Sequence, residues 1–149
     1  MRAFNKIVLT PIGKVSSPNK GQMHPEEVKT LLSDVIIYPQ FADGLYKIEY
    51  YSHLIILYYC HVLKKELGKP LRVHLRGDLK LPEVGVLASR AQNRPNPIGL
   101  SVVKLIARKG NVLTVEGLDA LDGSPVLDVK PYNPSVDSIE NASSPPIIK

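Results

Sequence analysis

The sequence has a single cysteine, Cys60, and no long hydrophobic run. One cysteine cannot close an internal disulfide and is too few for a thiolate cage around a metal ion, which is typical of a cytosolic protein. The longest apolar run, Leu54 to Cys60, is far too short to cross a bilayer. The first residues lack the basic start, apolar stretch and cleavage site of a secretion signal. We therefore expect a cytoplasmic protein without a membrane span.

Common signatures of nucleotide-binding and hydrolytic proteins are also missing. The sequence has no G-x-G-x-x-G after a strand, no phosphate-binding G-x-x-x-x-G-K and no G-x-S-x-G elbow. The four histidines, His24, His53, His61 and His74, follow no ligand motif. His53 and His61 would share a face of an unbroken strand, but two imidazoles without a third ligand make a poor zinc site. We expect no metal, and we expect His53 to be a buried histidine with its hydrogen bonds satisfied.

Proline, in contrast, is abundant, with 13 among 149 residues. So many prolines argue against a helical bundle and favour strands joined by stiff loops. Apolar residues make up 44% and charged residues 22% of the chain, as in a globular protein with one core. The formal net charge of +5 is compatible with a nucleic-acid partner, because phosphate contacts supply most non-specific affinity. A surface that is basic for solubility alone would give the same charge.

Hydrophobic patterning predicts about seven short strands and few helices, which indicates an all-β barrel or sandwich. The predicted strands are 6–17, 34–39, 51–60, 71–77, 84–89, the two arms of a hairpin over 100–121, and 124–132. Short helical segments are predicted at 25–32, 43–53 (with Asp43 as N-cap) and 61–70. The hairpin turns at Lys109-Gly110-Asn111. In the segment 71–77, alternation predicts Arg72, His74 and Arg76 on one face.

The stretch "RAQNRPNPIGLS", Arg90 to Ser101, places two prolines on either side of one asparagine. Proline fixes its own φ and holds the preceding residue extended, so Arg94 and Asn96 are presented at fixed angles. A second stretch, "LDALDGSPVLDVKPYNP", has a turn signal at Asp122-Gly123. Its strand then carries Asp128 and Lys130 on one face, where they could be an ordinary ion pair. Each feature alone fits a structural role.

Taken together, "YSHLIILYYCH", "RPNPIGLS" and "LDGSPVLDVKPY" resemble the TsaA-like family, the β-barrel methyltransferases that modify N6-threonylcarbamoyladenosine in tRNA. The resemblance extends from Ile12 to Pro134. It implies a small, single-domain, mainly β barrel with one or two short helices that works as a homodimer. We expect residues 1–136 to form the barrel and 137–149 a loose tail, without the second C-terminal domain of some members. Pro25-Glu26-Glu27 stands where many members carry Pro-Arg-Gln.

The resemblance also implies that S-adenosyl-L-methionine (SAM) binds without a Rossmann domain. The cofactor residues implied by position in the family are His61, Arg90, Asn96, Pro97, Leu100, Leu121, Asp122, Gly123 and Ser124. Arg90 is expected to bind the carboxylate of SAM, because a guanidinium fork matches that group. The rigid proline segment would hold the geometry that methyl transfer needs.

The implied substrate is tRNA with threonylcarbamoyladenosine immediately 3′ of the anticodon, at position 37. Its N6 proton is acidified by the neighbouring carbonyl, so a weak base suffices, and Asp128 or a neutral His61 would accept it. Arg72, Arg76, Arg94 and Lys130 are expected to bind phosphates. The alternatives are a SAM-binding or RNA-binding module without catalysis, a methyltransferase for a small molecule, and a structural barrel.

Overall fold

The computed structural model describes residues 5–62 and 70–146, which contain eight strands and two short α-helices. The strands are β1 (Gly13–Ser16), β2 (Leu32–Ile37), β3 (His53–Tyr59), β4 (Arg72–His74), β5 (Glu83–Gly85), β6 (Ile98–Lys109), β7 (Val112–Glu116) and β8 (Pro125–Pro131). The helices are α1 (Pro25–Val28) and α2 (Pro134–Asp137), and 3₁₀ turns lie at Pro39–Leu45, Ile48–Tyr50, Leu75–Gly77 and Val86–Ala88.

Six of the strands close into an antiparallel barrel in the order β1-β2-β7-β6-β3-β8. Closure removes the unpaired sheet edges that would otherwise invite aggregation. β4 and β5 form a separate two-stranded sheet, inserted in the chain between β3 and β6. The mainly β barrel expected from the sequence is therefore confirmed. In the described residues, no helix has the length and hydropathy that a membrane span requires.

Alternation along β3 places one set of its side chains in the core and the other on the outer surface. Leu54, Ile56 and Tyr58 point into the barrel and are buried, whereas Ile55 and Leu57 are only half-buried on the outside. The inward set packs with apolar residues of all the neighbouring strands. The strand is therefore buried on one parity and only half-buried on the other, although its sequence is apolar on both.

Gly99 on β6 lies opposite Tyr58 in the antiparallel register. A Cβ at this position would overlap the ring of Tyr58, so only glycine lets the ring cross the strand. The ring is thereby held over β6 at the end of the barrel where β3 ends.

The hairpin and the strands β2, β3 and β8 agree with the sequence predictions, whereas other boundaries were wrong. Only Gly13–Ser16 of the predicted strand 6–17 pairs, since Pro11 and the residues before it lie outside the ladder. The predicted helix over 25–32 is a single turn, because Leu32 joins the sheet opposite Glu116. Sheet pairing overrides local helix propensity here.

Three further predictions on connecting segments need correction. The helix placed at 43–53 is instead two 3₁₀ turns, and the first begins at Pro39 because proline is pre-organised for a first helical position. The strands predicted at 71–77 and 84–89 end at His74 and Gly85. Arg76 has φ of 56°, so it does not continue the strand face of Arg72 and His74. Of the predicted turn at 61–70, residues 63–69 lie outside the described residues.

His53 is exposed, contrary to the prediction that it is buried. As the first residue of β3 it lies at the rim of the barrel, where its Nδ1 is 2.9 Å from the hydroxyl of Ser52. Its ring also makes an edge contact with Tyr132. Strand-end position rather than hydrophobic context therefore decides its exposure.

Candidate functional site

Three segments that are distant in the sequence meet at the end of the barrel where β3 ends. The backbone N–H of Cys60 donates to the carbonyl of Pro97 at 2.8 Å, which joins the end of β3 to the proline segment. His61 Nδ1 lies 3.3 Å from the hydroxyl of Ser124, which joins the same strand end to the turn before β8. The two stretches singled out in the sequence are thus neighbours in space.

The turn Leu121–Ser124 is held by the N-terminal loop. The carboxylate of Asp122 accepts the backbone N–H of Ser17 at 2.9 Å and pairs with Lys20. The hydrogen bonds from Lys20 and Ser17 hold the pKa of Asp122 below its usual value. Gly123 has φ of +78°, a left-handed conformation that favours glycine. Asp122 therefore shapes the turn, and its carboxylate is engaged by the protein.

The proline segment is organised by Arg94, which points inward. Its Nη1 donates to the carbonyls of Val86 at 2.9 Å, Ser89 at 2.8 Å and Ala91 at 3.3 Å. The guanidinium thus closes the loop between the 3₁₀ turn and the prolines, and it is half-buried there rather than presented to a phosphate. Arg90, in contrast, is exposed, and its Nη2 donates one long bond of 3.4 Å to the carbonyl of Leu100.

Five of the nine expected cofactor residues line two separate depressions, and Arg90, Leu100, Asp122 and Gly123 line neither of the two. His61, Leu121 and Ser124 line a small recess of about 10 Å³, together with Tyr58, Cys60, Val62, Gln92 and Asp119. Asn96 and Pro97 instead line a groove of about 410 Å³ with Tyr59 and residues of the N-terminal segment. No residue lines both. The recess has room for about one water-sized group, so any larger ligand must extend over the exposed residues at its mouth.

Asp119 is the recess residue that reasoning from the sequence missed. Its backbone N–H donates to the hydroxyl of Ser101 at 3.3 Å, and desolvation raises the pKa of its carboxyl. Burial also raises the pKa of the Cys60 thiol, with a further contribution from the charge of Asp119. In the sequence, Asp119 is a single acidic residue between the apolar residues Leu118 and Ala120. The structure buries both of these neighbours fully. Nothing in that spacing indicates that the acid faces His61 and Ser124.

Tyr58 forms part of the inner wall of the recess and responds to the charges around it. Desolvation raises its pKa to about 12, while a hydrogen bond with Ser101 acts in the opposite direction. The charge of Asp119 also raises this pKa, and the charge of Arg90 lowers it. The phenol is therefore neutral at physiological pH, between two groups of opposite sign.

Asp128 and His61, the two candidate proton acceptors, lie in different places. Asp128 pairs with Lys130 at 2.8 Å, and this contact raises the pKa of Lys130. Asp128 lines a separate groove, together with Phe41 and Ile48. His61 is exposed at the recess beside Ser124. Only His61 of the two shares a depression with the expected cofactor residues.

The residues expected to bind phosphate do not form one face. Arg72 lies on β4 of the small sheet with its Nη1 3.9 Å from the carboxylate of Glu83. Arg76 follows in the 3₁₀ turn with left-handed φ, and Lys130 lies on β8 of the barrel. Within the described ranges, no group of three or more histidine, cysteine or acidic side chains could hold a metal ion.

The acids in Pro25-Glu26-Glu27 have local structural partners. The carboxylate of Glu27 accepts the backbone N–H of His24 at 2.7 Å, which caps α1. Glu26 pairs with Lys29 at 2.8 Å on the same helical turn. This segment therefore stabilises its own turn.

Comparisons with known proteins identify the family of the chain. The family model described as the tRNA-methyltransferase O N-terminal domain matches residues 14–138. The chain is 43% identical over 136 residues to the S-adenosyl-L-methionine-binding protein of Archaeoglobus fulgidus, covering 89% of this chain and 94% of that protein. It is 34% identical over 145 residues to the tRNA (adenine(37)-N6)-methyltransferase of Escherichia coli, covering 89% of this chain and 60% of the enzyme.

Solved structures extend the similarity to the fold. The crystal structure of TrmO from Pseudomonas aeruginosa superposes with a TM-score of 0.73 at 30% identity, covering 93% of this chain and 61% of that one. The chain thus spans about three fifths of the larger relatives and nearly all of the archaeal one.

Proposed function

The chain belongs to the family of the tRNA-methyltransferase O N-terminal domain, and on this premise we propose that it is a SAM-dependent methyltransferase acting on N6 of adenosine 37 in tRNA. The observation that carries the proposal is the junction of three segments at one end of the barrel. His61, the Arg90-containing loop and the turn Leu121–Ser124 meet there, and these are the residues implied for the cofactor.

The residues at this junction fit SAM, which supplies a methyl group on a sulfonium sulfur. Arg90 is exposed and, among the residues that the structure describes, makes one long hydrogen bond, so its guanidinium is accessible to a carboxylate. The hydroxyl of Ser124 and the ring of His61 offer polar contacts beside the apolar Leu121. Asp122 acts through the turn backbone, because Ser17 and Lys20 engage its side chain. Asn96 and Pro97 stiffen the loop from its other side.

The substrate we propose is adenosine 37 that already carries the threonylcarbamoyl group. Its acidified N6–H needs only a weak base. Because His61 lies at the recess, it is better placed than Asp128 to accept this proton. A neutral His61 that donates Nδ1–H to Ser124 keeps Nε2 as the acceptor. Asp128 remains a second candidate, since half of its side chain is accessible beside Lys130.

Partners and place of action follow from the same proposal. Phosphates of the tRNA would contact Arg72 and Arg76, with Lys130 on the barrel, and the net charge of +5 favours a polyanion. A second copy of the chain would cover the apolar outer surface of β3 and β6. Because the substrate is tRNA, we infer that the protein acts in the cytoplasm.

Transfer of radiolabelled methyl groups tests the proposed function. The two substrates are one tRNA with threonylcarbamoyladenosine at position 37 and the same tRNA with plain adenosine. We expect label in the first alone, and we expect Arg90→Ala to abolish it at low SAM concentration. Equal labelling of both would contradict the role of the acidified nitrogen.

A SAM-binding protein without catalysis is the second candidate, since relatives such as that of Archaeoglobus fulgidus are named only for binding. Calorimetry separates the two. SAM binding with no label in either tRNA would favour the binding protein, and the absence of SAM binding would refute both.

A further inference from the structure

Asp119 is an acid at the recess for which the proposed function gives no role. The one hydrogen bond of this residue within the described parts of the chain uses its backbone N–H and the hydroxyl of Ser101. Desolvation is the cause that raises the pKa of its carboxyl, and no described cation or donor acts against it. Its neighbours Tyr58, Ser124 and Gln92 are uncharged. Asp119 is nevertheless exposed at the mouth of the recess, so a ligand with positive charge can reach its carboxylate and would offset the partial desolvation.

Arg90 provides a positive charge next to this carboxylate without pairing with it. The guanidinium of Arg90 bonds the carbonyl of Leu100, and the backbone of Asp119 bonds the hydroxyl of Ser101. Leu100 and Ser101 are consecutive residues of β6. The guanidinium of Arg90 and the backbone of Asp119 therefore contact adjacent residues of one strand, and the charges of the two side chains act on the pKa of Tyr58 in opposite directions.

An ion pair between Arg90 and Asp119 would leave little for a ligand to bind. The ion pairs among residues 5–62 and 70–146 join other residues, so the guanidinium of Arg90 and the carboxylate of Asp119 are not in ion-pair contact. A pair of separated opposite charges matches an α-amino acid, which carries its ammonium and carboxylate on the same carbon. The recess has room for about one ammonium-sized group, so the ammonium would lie there beside Asp119 and the carboxylate would lie outside it, where Arg90 is exposed.

We propose that Arg90 and Asp119 form a zwitterion clamp for the amino-acid end of SAM, with Arg90 binding the α-carboxylate and Asp119 the α-ammonium. The inference rests on the proposed cofactor and adds a residue and a specificity to that site. Charge-assisted hydrogen bonds at both ends fix the direction in which the cofactor lies. The clamp also excludes adenosine compounds that lack the amino-acid end, because two charges would then stay unpaired.

Calorimetric binding of four ligands to the full chain tests the clamp. SAM and S-adenosylhomocysteine carry both charged groups, decarboxylated SAM lacks the carboxylate, and 5′-methylthioadenosine lacks the whole amino-acid end. Asp119→Asn should weaken SAM and S-adenosylhomocysteine equally, by roughly 10- to 100-fold, and leave 5′-methylthioadenosine unchanged. Arg90→Ala should weaken SAM similarly but leave decarboxylated SAM unchanged.

A matched control is Asp43→Asn, which removes an exposed acid in the 3₁₀ turn that follows β2. It should leave all four affinities unaltered. If Asp119→Asn does not fold, the wild-type protein still decides, because a clamp requires much weaker binding of 5′-methylthioadenosine than of S-adenosylhomocysteine, which has the same uncharged thioether sulfur and differs by the amino-acid end.

Three results would overturn the clamp. Loss of SAM affinity in Asp119→Asn with S-adenosylhomocysteine spared would assign the carboxylate to the sulfonium. An equal loss for 5′-methylthioadenosine would mean a structural role, and unchanged affinities would mean no role. In each case wild-type SAM binding and methyl transfer would persist, so the proposed function would stand. Absence of SAM binding by the wild type would refute both.

Discussion

At the scale of single residues, the contact between Gly99 and Tyr58 positions the ring that forms part of the inner wall of the recess. The ring of Tyr58 is buried and lies across β6 at the one position where that strand has no side chain. Its hydroxyl then reaches Ser101, which in turn holds the backbone of Asp119. A glycine on a strand thus determines the position of an acid twenty residues later in the chain.

We expect Gly99→Ala to destabilise the protein by about 1–3 kcal/mol, because a methyl group in this space forces a buried ring to move. Urea unfolding measures the change. Gly44→Ala is the matched control, since nothing lies within 4 Å of a Cβ at that position. Equal unfolding free energies for the two variants would show that Tyr58 yields without cost.

At the scale of elements, the proline segment owes its shape to hydrogen bonds as much as to its prolines. The prolines keep the chain extended, but Arg94 ties it back to three carbonyls of the preceding loop. Arg90 belongs to the same loop, so the direction of its guanidinium depends on Arg94. The stiffness visible in the sequence is thus completed by a side chain that was expected to face the tRNA.

Arg94→Ala should loosen this loop because the guanidinium that joins three of its carbonyls is lost. We expect faster limited proteolysis between residues 86 and 97, and weaker SAM binding through Arg90. The dependence of tRNA affinity on salt should stay as in the wild type, whereas loss of a phosphate contact would lower the slope by about one. Arg72→Ala, which changes an exposed side chain on β4, is the control for a phosphate contact. A lower salt slope in Arg94→Ala would contradict this prediction and would show that Arg94 contacts a phosphate of the tRNA.

At the scale of the whole molecule, the barrel carries an apolar stripe on its outer surface. Cross-strand neighbours on β3 and β6 form it, namely the pairs Ile55 with Val102, Leu57 with Leu100 and Tyr59 with Ile98. Ile98, Leu100 and Val102 are 40%, 40% and 48% exposed. Contiguous apolar area of this kind marks interaction sites, and its continuity across two strands suits a second barrel. Leu100 belongs both to the stripe and to the expected cofactor residues.

A homodimer built on this stripe should dissociate when a charge is placed within it. We expect light scattering at tens of micromolar to give a dimer mass for the wild type and a monomer mass for Val102→Lys, since a buried unpaired charge is costly. Val136→Lys is the control, because Val136 is 73% exposed in α2, outside the stripe. A monomeric wild type would refute the dimer.

Local features of the sequence were sufficient to predict the elements that depend mainly on neighbouring residues in the chain. The hairpin of β6 and β7 follows from alternation and from the glycine at its turn, which has φ of +60°. The strand β3 follows from a run apolar on both parities, and the stiff segment from its prolines. The two site stretches were found through their residue types, since prolines and a turn signal are readable without a partner.

Contacts between residues that are distant in the sequence determined the roles of the polar side chains at the site. Asp119, Asp122 and Arg94 are polar residues in similar loop contexts, and nothing beside them in the chain states which one faces a ligand. Folding pairs Asp122 with Lys20 and Ser17, turns Arg94 onto backbone carbonyls, and leaves Asp119 beside His61 at the recess. A charged side chain takes its role from whichever partner the fold brings within hydrogen-bonding distance, and that partner here lies up to 105 residues away.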